Sequence, residues 1–194
     1  SFVIPCYNSS ATVPGVIGEI ENVMAERPSW EFEIITVVDG SPDDVFGTLS
    51  ALARDDRRLK VVELSKNFGQ ANALMAGYNY ASGDVTVTLD DDGQCPIDHV
   101  WELIRPVVDG EADMSVARYP VKKQSFVKNV GSALNGFMAR TIMGFPKDFE
   151  MSNFYAFDRL VRDQVIAYKN PYPYLSGLAF SATRRIVNVP MEER

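Results

Sequence analysis

The stretch VTVTLDDDGQCPIDHVWELIRPVV, Val85 to Val108, joins a short apolar run to an amphipathic helical pattern through three consecutive carboxylates. Val85–Leu89 is rich in β-branched residues and reads as a strand. Pro96 stands where a helix starts, and Ile97, Val100, Trp101 and Ile104 then fall on one face. A strand feeding a helix through a polar turn is half of a βαβ unit, and the pattern recurs on either side. Further strand-like runs are Phe2–Pro5, Glu33–Val38, Lys60–Leu64 and Ala112–Ala117. The SPDD at Ser41–Asp44 offers a capping hydroxyl, a proline at the first helical position and acids in the first turn. Another helix is predicted from Gln70 to Ala81, broken by the Ser-Gly-Asp that follows. This alternation predicts an α/β fold with a mostly parallel sheet flanked by helices.

After Tyr119 the alternation stops. Phe126, Val130, Leu134, Phe137 and Ile142 keep helical spacing up to Gly144, and PKDFEMSNFYAFDRLV, Pro146–Val161, predicts a short strand leading into a helix. Tyr168–Gly177 (YKNPYPYLSG) reads as a proline-fixed loop, covering the core or lining an acceptor site. No repeat, linker or low-complexity tract divides the 194 residues, so one domain is expected. The chain opens within a strand without Met and stops in a charged stretch, as a piece of a longer protein would.

A net charge of −7 argues against nucleic-acid binding, which leaves a basic footprint. No apolar run reaches the roughly 18 residues of a membrane helix. Cys6 and Cys95 lack metal-site spacing and read as reduced thiols in a cytosolic setting.

The triplet Asp90–Asp92 has a cost. Adjacent carboxylates about 5 Å apart repel by roughly 3 kcal/mol at an effective dielectric near 20. Either solvent at a surface turn relieves that repulsion, or a cation or a ligand's hydroxyls do. The other strand ends bear on the choice. Doubly wound sheets bind ligands at the carboxyl ends of their strands, and those ends carry Tyr7 and Asn8, Asp39, Asn67 and then Asp90–Asp92. Neither GxxxxGK[ST] nor GxGxxG is present, and HExxH, GxSxG and Cys/His clusters are absent too. The lone His99 reads as a capping or packing residue. A pyrophosphate here would have to be met by metal, by Lys or Arg, or by helix N-termini. Clustered carboxylates are the oxygen ligands that Mg²⁺ or Mn²⁺ prefers.

The segments FVIPCYN, EIITVVDGSPDD, LSKNFGQANALMAGYNYASGD and VTLDDDGQ, in that order, resemble glycosyltransferase family 2. They are most similar to its polyprenyl-phosphate branch, the dolichyl-phosphate mannosyltransferase-like enzymes. ARY at Ala117–Tyr119, NVGSALN at Asn129–Asn135 and DFEMSNFYAFDR from Asp148 fit as well, so the likeness spans the chain. The resemblance implies a GT-A fold, an inverting mechanism, a nucleotide-sugar donor and Mg²⁺ or Mn²⁺. It divides the chain into a nucleotide-binding half, 1–117, and an acceptor half, 118–194.

By this resemblance Pro5, Tyr7 and Asn8 line the base pocket and Asp39, the second acid of a DDGS motif, helps to hold the nucleoside. Val38 and Ser9 stand where the family usually has polar or acidic residues. DDDGQ takes the place of DxDxQ. Asp90 then faces ribose and diphosphate, Asp91 is the variable middle residue, and Asp92 with Gln94 coordinates or orients the metal. Asp148 matches an acid near the acceptor, a candidate base or positioning group. Arg118 matches an arginine near the donor diphosphate or acceptor phosphate. Lys122, Lys123 and Lys128 lie close by in sequence, either a solvated surface or a patch attracting lipid phosphate at roughly 1 kcal/mol per residue. The implied acceptor is polyprenyl phosphate, with the parent protein at the cytoplasmic face of a membrane. The competing readings are a saccharide acceptor, a haloacid-dehalogenase-type phosphatase using LDDDG, and a non-catalytic nucleotide-sugar-binding module.

Overall fold

The computed structural model describes residues 1–119 and 149–192. In chain order its elements are β1 (Phe2–Cys6), α1 (Val13–Ala25), β2 (Ile34–Asp39), α2 (Val45–Asp55), β3 (Leu59–Leu64) and α3 (Gln70–Tyr80). Then follow β4 (Val85–Thr88), a 3-10 turn at Ile97–His99, α4 (Val100–Val108) and β5 (Met114–Arg118). The last described elements are β6 (Tyr155–Asp158), α5 (Arg159–Ile166), α6 (Leu175–Ala182) and β7 (Ile186–Pro190).

The strands form one sheet in the order β3-β2-β1-β4-β6-β5-β7. Pairing is parallel from β3 through β4 and between β5 and β7, whereas β6 runs antiparallel to both neighbours. The sheet is therefore mostly parallel, as predicted, with one reversed strand inserted beside β4. Helices cover both faces. Val13, Ile17 and Ile20 of α1, Leu49 of α2 and Leu103 of α4 share one core with Phe2 and Ile4. Leu74 and Tyr78 of α3, Val161 of α5 and Ala179 of α6 share the other with Val3, Ile35 and Val37. Burial on both faces explains why β1 and β2 are largely apolar rather than alternating.

Two expectations need correction, and one strand was missed. Helix α2 begins at Val45, and Ser41 does not cap it. The Ser41 hydroxyl instead donates to Asp43 and accepts from the backbone N–H of Asn8, so SPDD ties two loops together. The 168–177 loop ends early, because α6 starts at Leu175. Strand β7, which follows α6, was not anticipated at all. The helical pattern of Phe126–Ile142, together with Lys122, Lys123, Lys128 and Asp148, lies outside the described residues.

Beneath the carboxyl end of β4 lies a buried hydroxyl cluster. The Tyr78 hydroxyl is 3.0 Å from Thr88 Oγ1 and 2.7 Å from the Tyr155 hydroxyl. Thr88 and Tyr155 are register partners of β4 and β6, so the cluster pins α3, β4 and β6 at one level. Burial pushes both phenols above their ordinary range. Tyr78→Phe leaves buried hydroxyls short of a partner, and a loss of about 1–3 kcal/mol is expected in urea unfolding.

Candidate functional site

The carboxyl ends of β1, β2, β3 and β4 share one edge, and the polar residues singled out in the sequence converge there. Asp39 is 3% exposed at the end of β2. Its carboxylate accepts the backbone N–H groups of Phe68 at 2.7 Å and Gly69 at 2.8 Å. Asn67 Oδ1 also accepts from Gly69 N–H, at 3.1 Å. Asp39 thus shapes the β3–α3 turn as well as lining the rim. The next residue, Gly40, has φ +58°, and a Cβ there would lie 2.2 Å from the Lys66 carbonyl carbon. Only glycine fits.

Asn8 sits in the left-handed region at φ 57°, a conformation Asn tolerates better than most residues. Ser41 Oγ holds its N–H at 2.7 Å, and Asp43 accepts the Ser10 N–H at 2.8 Å. Burial opposes the Asp43 charge, but hydrogen bonds from Ser41 and Ser10 bring its carboxyl down to about 2. Asn8 therefore serves the backbone geometry of this loop.

The three aspartates after β4 do different things. Asp91 accepts the Tyr7 N–H at 3.0 Å and so joins the ends of β1 and β4. Asp92 is exposed, and its Oδ1 accepts the Gln94 N–H at 2.9 Å across Gly93. Asp90 is gripped on both oxygens: Gln70 Nε2 donates to Oδ1 at 2.8 Å and Asn153 Nδ2 to Oδ2 at 2.9 Å. Burial raises the Asp90 carboxyl above the usual carboxylate range, the Asn153 bond opposes that rise, and Asp92 and Asp91 add to it.

Asp90 also divides the rim. On one side a cleft of about 280 Å³ is lined by Pro5, Tyr7, Asp39, Asn67, Gln70 and Asp91. On the other a cleft of about 170 Å³ is lined by Asp92, Gln94, Cys95, Tyr119, Asn153 and Phe154. Tyr119 is shared with a third cleft of about 570 Å³, where Arg118 stands with His99, Glu102, Pro190, Met191 and Glu192. The Arg118 guanidinium donates to Glu150 at 3.1 Å. His99 is no core residue: its Nδ1 lies 2.8 Å from Glu102 Oε1 on this exposed wall. A larger hollow of about 710 Å³ lies at the opposite edge, among Trp30, Phe32, Val85 and Trp101, away from the aspartates. Sheets of this kind take ligands at the carboxyl edge, so the smaller clefts carry the argument.

Among the described residues no three His, Cys, Asp or Glu side chains gather into a ready-made metal cluster. That does not conflict with Mg²⁺ or Mn²⁺. Such a hard cation is held by one or two carboxylates plus the substrate's phosphates, and the exposed oxygens of Asp92 and Gln94 suit it. Both cysteines are free and buried, which makes them poor ligands. Gln70, Asn153, Glu150 and Tyr119 are the rim residues the sequence reading missed. Gln70 could have been suspected from its place directly after Gly69. The others come to the rim only through strands β5 and β6.

Comparison with known proteins agrees with this geometry. The family model for glycosyl transferase family 2 matches residues 1–167. An uncharacterised glycosyltransferase of Bacillus subtilis strain 168, YkcC, is 28% identical over 178 residues, covering 92% of this chain and 55% of its own length. The undecaprenyl-phosphate 4-deoxy-4-formamido-L-arabinose transferase of Yersinia pestis strain Pestoides F is 33% identical over 141 residues, 72% of this chain and 43% of that protein. The chain thus spans about half the length of the curated relatives it matches. Among solved structures, glucosyl-3-phosphoglycerate synthase of Mycobacterium tuberculosis, in complex with Mn²⁺, UDP and phosphoglyceric acid, superposes with a TM-score of 0.71 at 20% identity, over 97% of this chain and 67% of that one. That likeness establishes the fold.

Proposed function

The chain belongs to glycosyltransferase family 2, and we propose that it transfers a sugar, with inversion, from a nucleotide-diphosphate donor to polyprenyl phosphate, aided by Mg²⁺ or Mn²⁺. Its family supports a glycosyltransferase over a phosphatase or a non-catalytic binding module. The finer reading rests on one observation above all: Asp90 lines both the cleft that reaches Asp39 and Tyr7 and the cleft of Asp92, which adjoins at Tyr119 the one that holds Arg118. A base in the first cleft would put ribose at Asp90, diphosphate at Asp92 and the transferred sugar towards Tyr119.

Asp92 and Gln94 would hold the cation, which supplies Lewis-acid stabilisation of the departing diphosphate. The chain's own residues do the rest. Pro5 and Tyr7 flank the base, Asp39 and Asn67 keep the β3–α3 turn in place around it, and Asn8 fixes the loop beyond. Arg118 is placed to pair with a phosphate oxygen of donor or acceptor, exchanging Glu150 for it. An acceptor phosphate oxygen attacks the anomeric carbon from the face opposite the leaving nucleotide. Because a phosphate acceptor is already anionic, Asp148 serves to position it rather than to deprotonate it. Positioning and electrostatics then provide most of the acceleration.

The acceptor reading is supported by the undecaprenyl-phosphate transferases among the relatives. It implies work at the cytoplasmic face of a membrane, with Lys122, Lys123 and Lys128 drawn to the anionic surface. No described helix is long and apolar enough to cross a bilayer. The division into a donor half and an acceptor half near residue 118 belongs to the same proposal.

Calorimetric titration with UDP, GDP and dTDP, each with and without Mn²⁺, tests the donor site. Binding of one nucleotide that depends on Mn²⁺ is expected. Absence of binding for all of them would overturn the reading.

A further inference from the structure

Among the described residues, Asp90 is the only carboxylate of the triplet held on both oxygens by side chains, and the two donors come from distant parts of the chain. Gln70 is the first residue of α3, and Asn153 lies 63 residues beyond Asp90 in the lead-in to β6. The same three elements meet one level deeper, where Tyr78 of α3, Thr88 of β4 and Tyr155 of β6 share hydrogen bonds. The rim layer of Gln70, Asp90 and Asn153 thus stands on a rigid buried layer. Two neutral amides grip the carboxylate without cancelling its charge. Each carboxylate oxygen has two lone pairs, so one per oxygen stays open to a ligand hydroxyl.

We propose that Asn153 and Gln70 are positioning residues, which set the plane of Asp90 so that its two oxygens accept the vicinal hydroxyls of the donor's ribose. The inference rests on the donor-site reading above. In a nucleotide the ribose links base to diphosphate, and Asp90 is the residue shared by the cleft at Tyr7 and Asp39 and the cleft at Asp92. A carboxylate free to rotate would meet two adjacent hydroxyls less often than one clamped at both oxygens. The amides leave the charge in place, whereas a Lys or Arg partner would compete with the ribose for it.

The experiment compares a nucleoside diphosphate that the protein binds with its 2′,3′-dideoxy counterpart, by calorimetry with Mn²⁺. For the unaltered protein the ribonucleotide binds more tightly. In Asn153→Ala, and to a similar extent in Gln70→Ala, the ribonucleotide is expected to bind about tenfold more weakly while the dideoxynucleotide is unchanged. Tyr155→Phe serves as the structural control: it lowers the unfolding temperature yet keeps the preference for ribose. Equal weakening of both ligands in Asn153→Ala, or none, would overturn the positioning role while leaving the donor site standing. Failure of the unaltered protein to bind any ribonucleotide would overturn the donor site and this inference with it.

Discussion

Asp92→Asn is expected to lower kcat/KM for nucleotide-sugar turnover about a thousandfold or more, with the fold unaltered. The substitution separates two functions of one side chain. An Asn at this position keeps a carbonyl oxygen where Asp92 Oδ1 accepts the Gln94 N–H, so the turn through Gly93 survives. What disappears is the negative charge at the exposed end of the triplet. A metal that neutralises the departing diphosphate contributes several kcal/mol to transition-state stability, and each 1.36 kcal/mol is a factor of ten. Asp91→Asn provides the contrast. Its oxygen accepts the Tyr7 N–H from the neighbouring strand end, a bond that Asn also retains, and its effect is expected to stay within about tenfold. Steady-state kinetics against Mn²⁺ concentration, beside thermal unfolding of each variant, checks both statements. Full activity in Asp92→Asn would remove the metal-ligand assignment.

Gly40→Ala is expected to cost about 3 kcal/mol or more of stability and to weaken nucleotide binding as well. Left-handed backbone at φ +58° disfavours a β-carbon by roughly 1–2 kcal/mol, and overpacking against rigid neighbours adds about 1–3 kcal/mol. The neighbours here are backbone atoms of Lys66 and Asn67, which cannot swing aside as a side chain could. If they move, the turn that Asp39 holds through Phe68 and Gly69 moves with them. Gly69→Ala is the comparison: its φ is +89°, but nothing lies within 4 Å of the added carbon, so only the conformational term applies. Urea unfolding of the two variants should separate them clearly. Equal stabilities would show that the turn yields more readily than its packing implies.

Strands β1 and β2 were legible because parallel strands buried on both faces leave largely apolar runs, β3 and β4 through their β-branched residues, and helix α3 through the helical period between them. The rim was legible for a related reason. Carboxyl ends of parallel strands must share an edge, so the sequence alone places Tyr7, Asp39, Asn67 and Asp90 together. What each of them does there was not legible. Asp39 and Asp91 both accept backbone N–H groups that no local pattern predicts. Ser41–Asp44 carries every local mark of a helix start, yet Ser41 and Asp43 bond a loop more than thirty residues earlier. Such competition between near and far partners is decided only in the folded chain. The direction of β6 escaped for the same reason, because Tyr155–Asp158 has the same residue pattern whichever way it runs. Asn153 and Glu150 reach the rim only through that reversal.

The reversed strand has a kinetic consequence. Until β6 arrives, β4 has no partner on that side, and its backbone is an open edge of the kind that invites pairing with other chains. Closing the span between Asp90 and Asn153 carries an entropy cost that is met only when non-local contacts form, so assembly of this part of the sheet should be slow relative to the β1–β2–β3 ladder. On a ribosome, the portion through β4 emerges well before β6 does. The grip of Asn153 on Asp90 would therefore form later than the cleft at Tyr7 and Asp39, all of whose lining residues precede Asp92 in the chain.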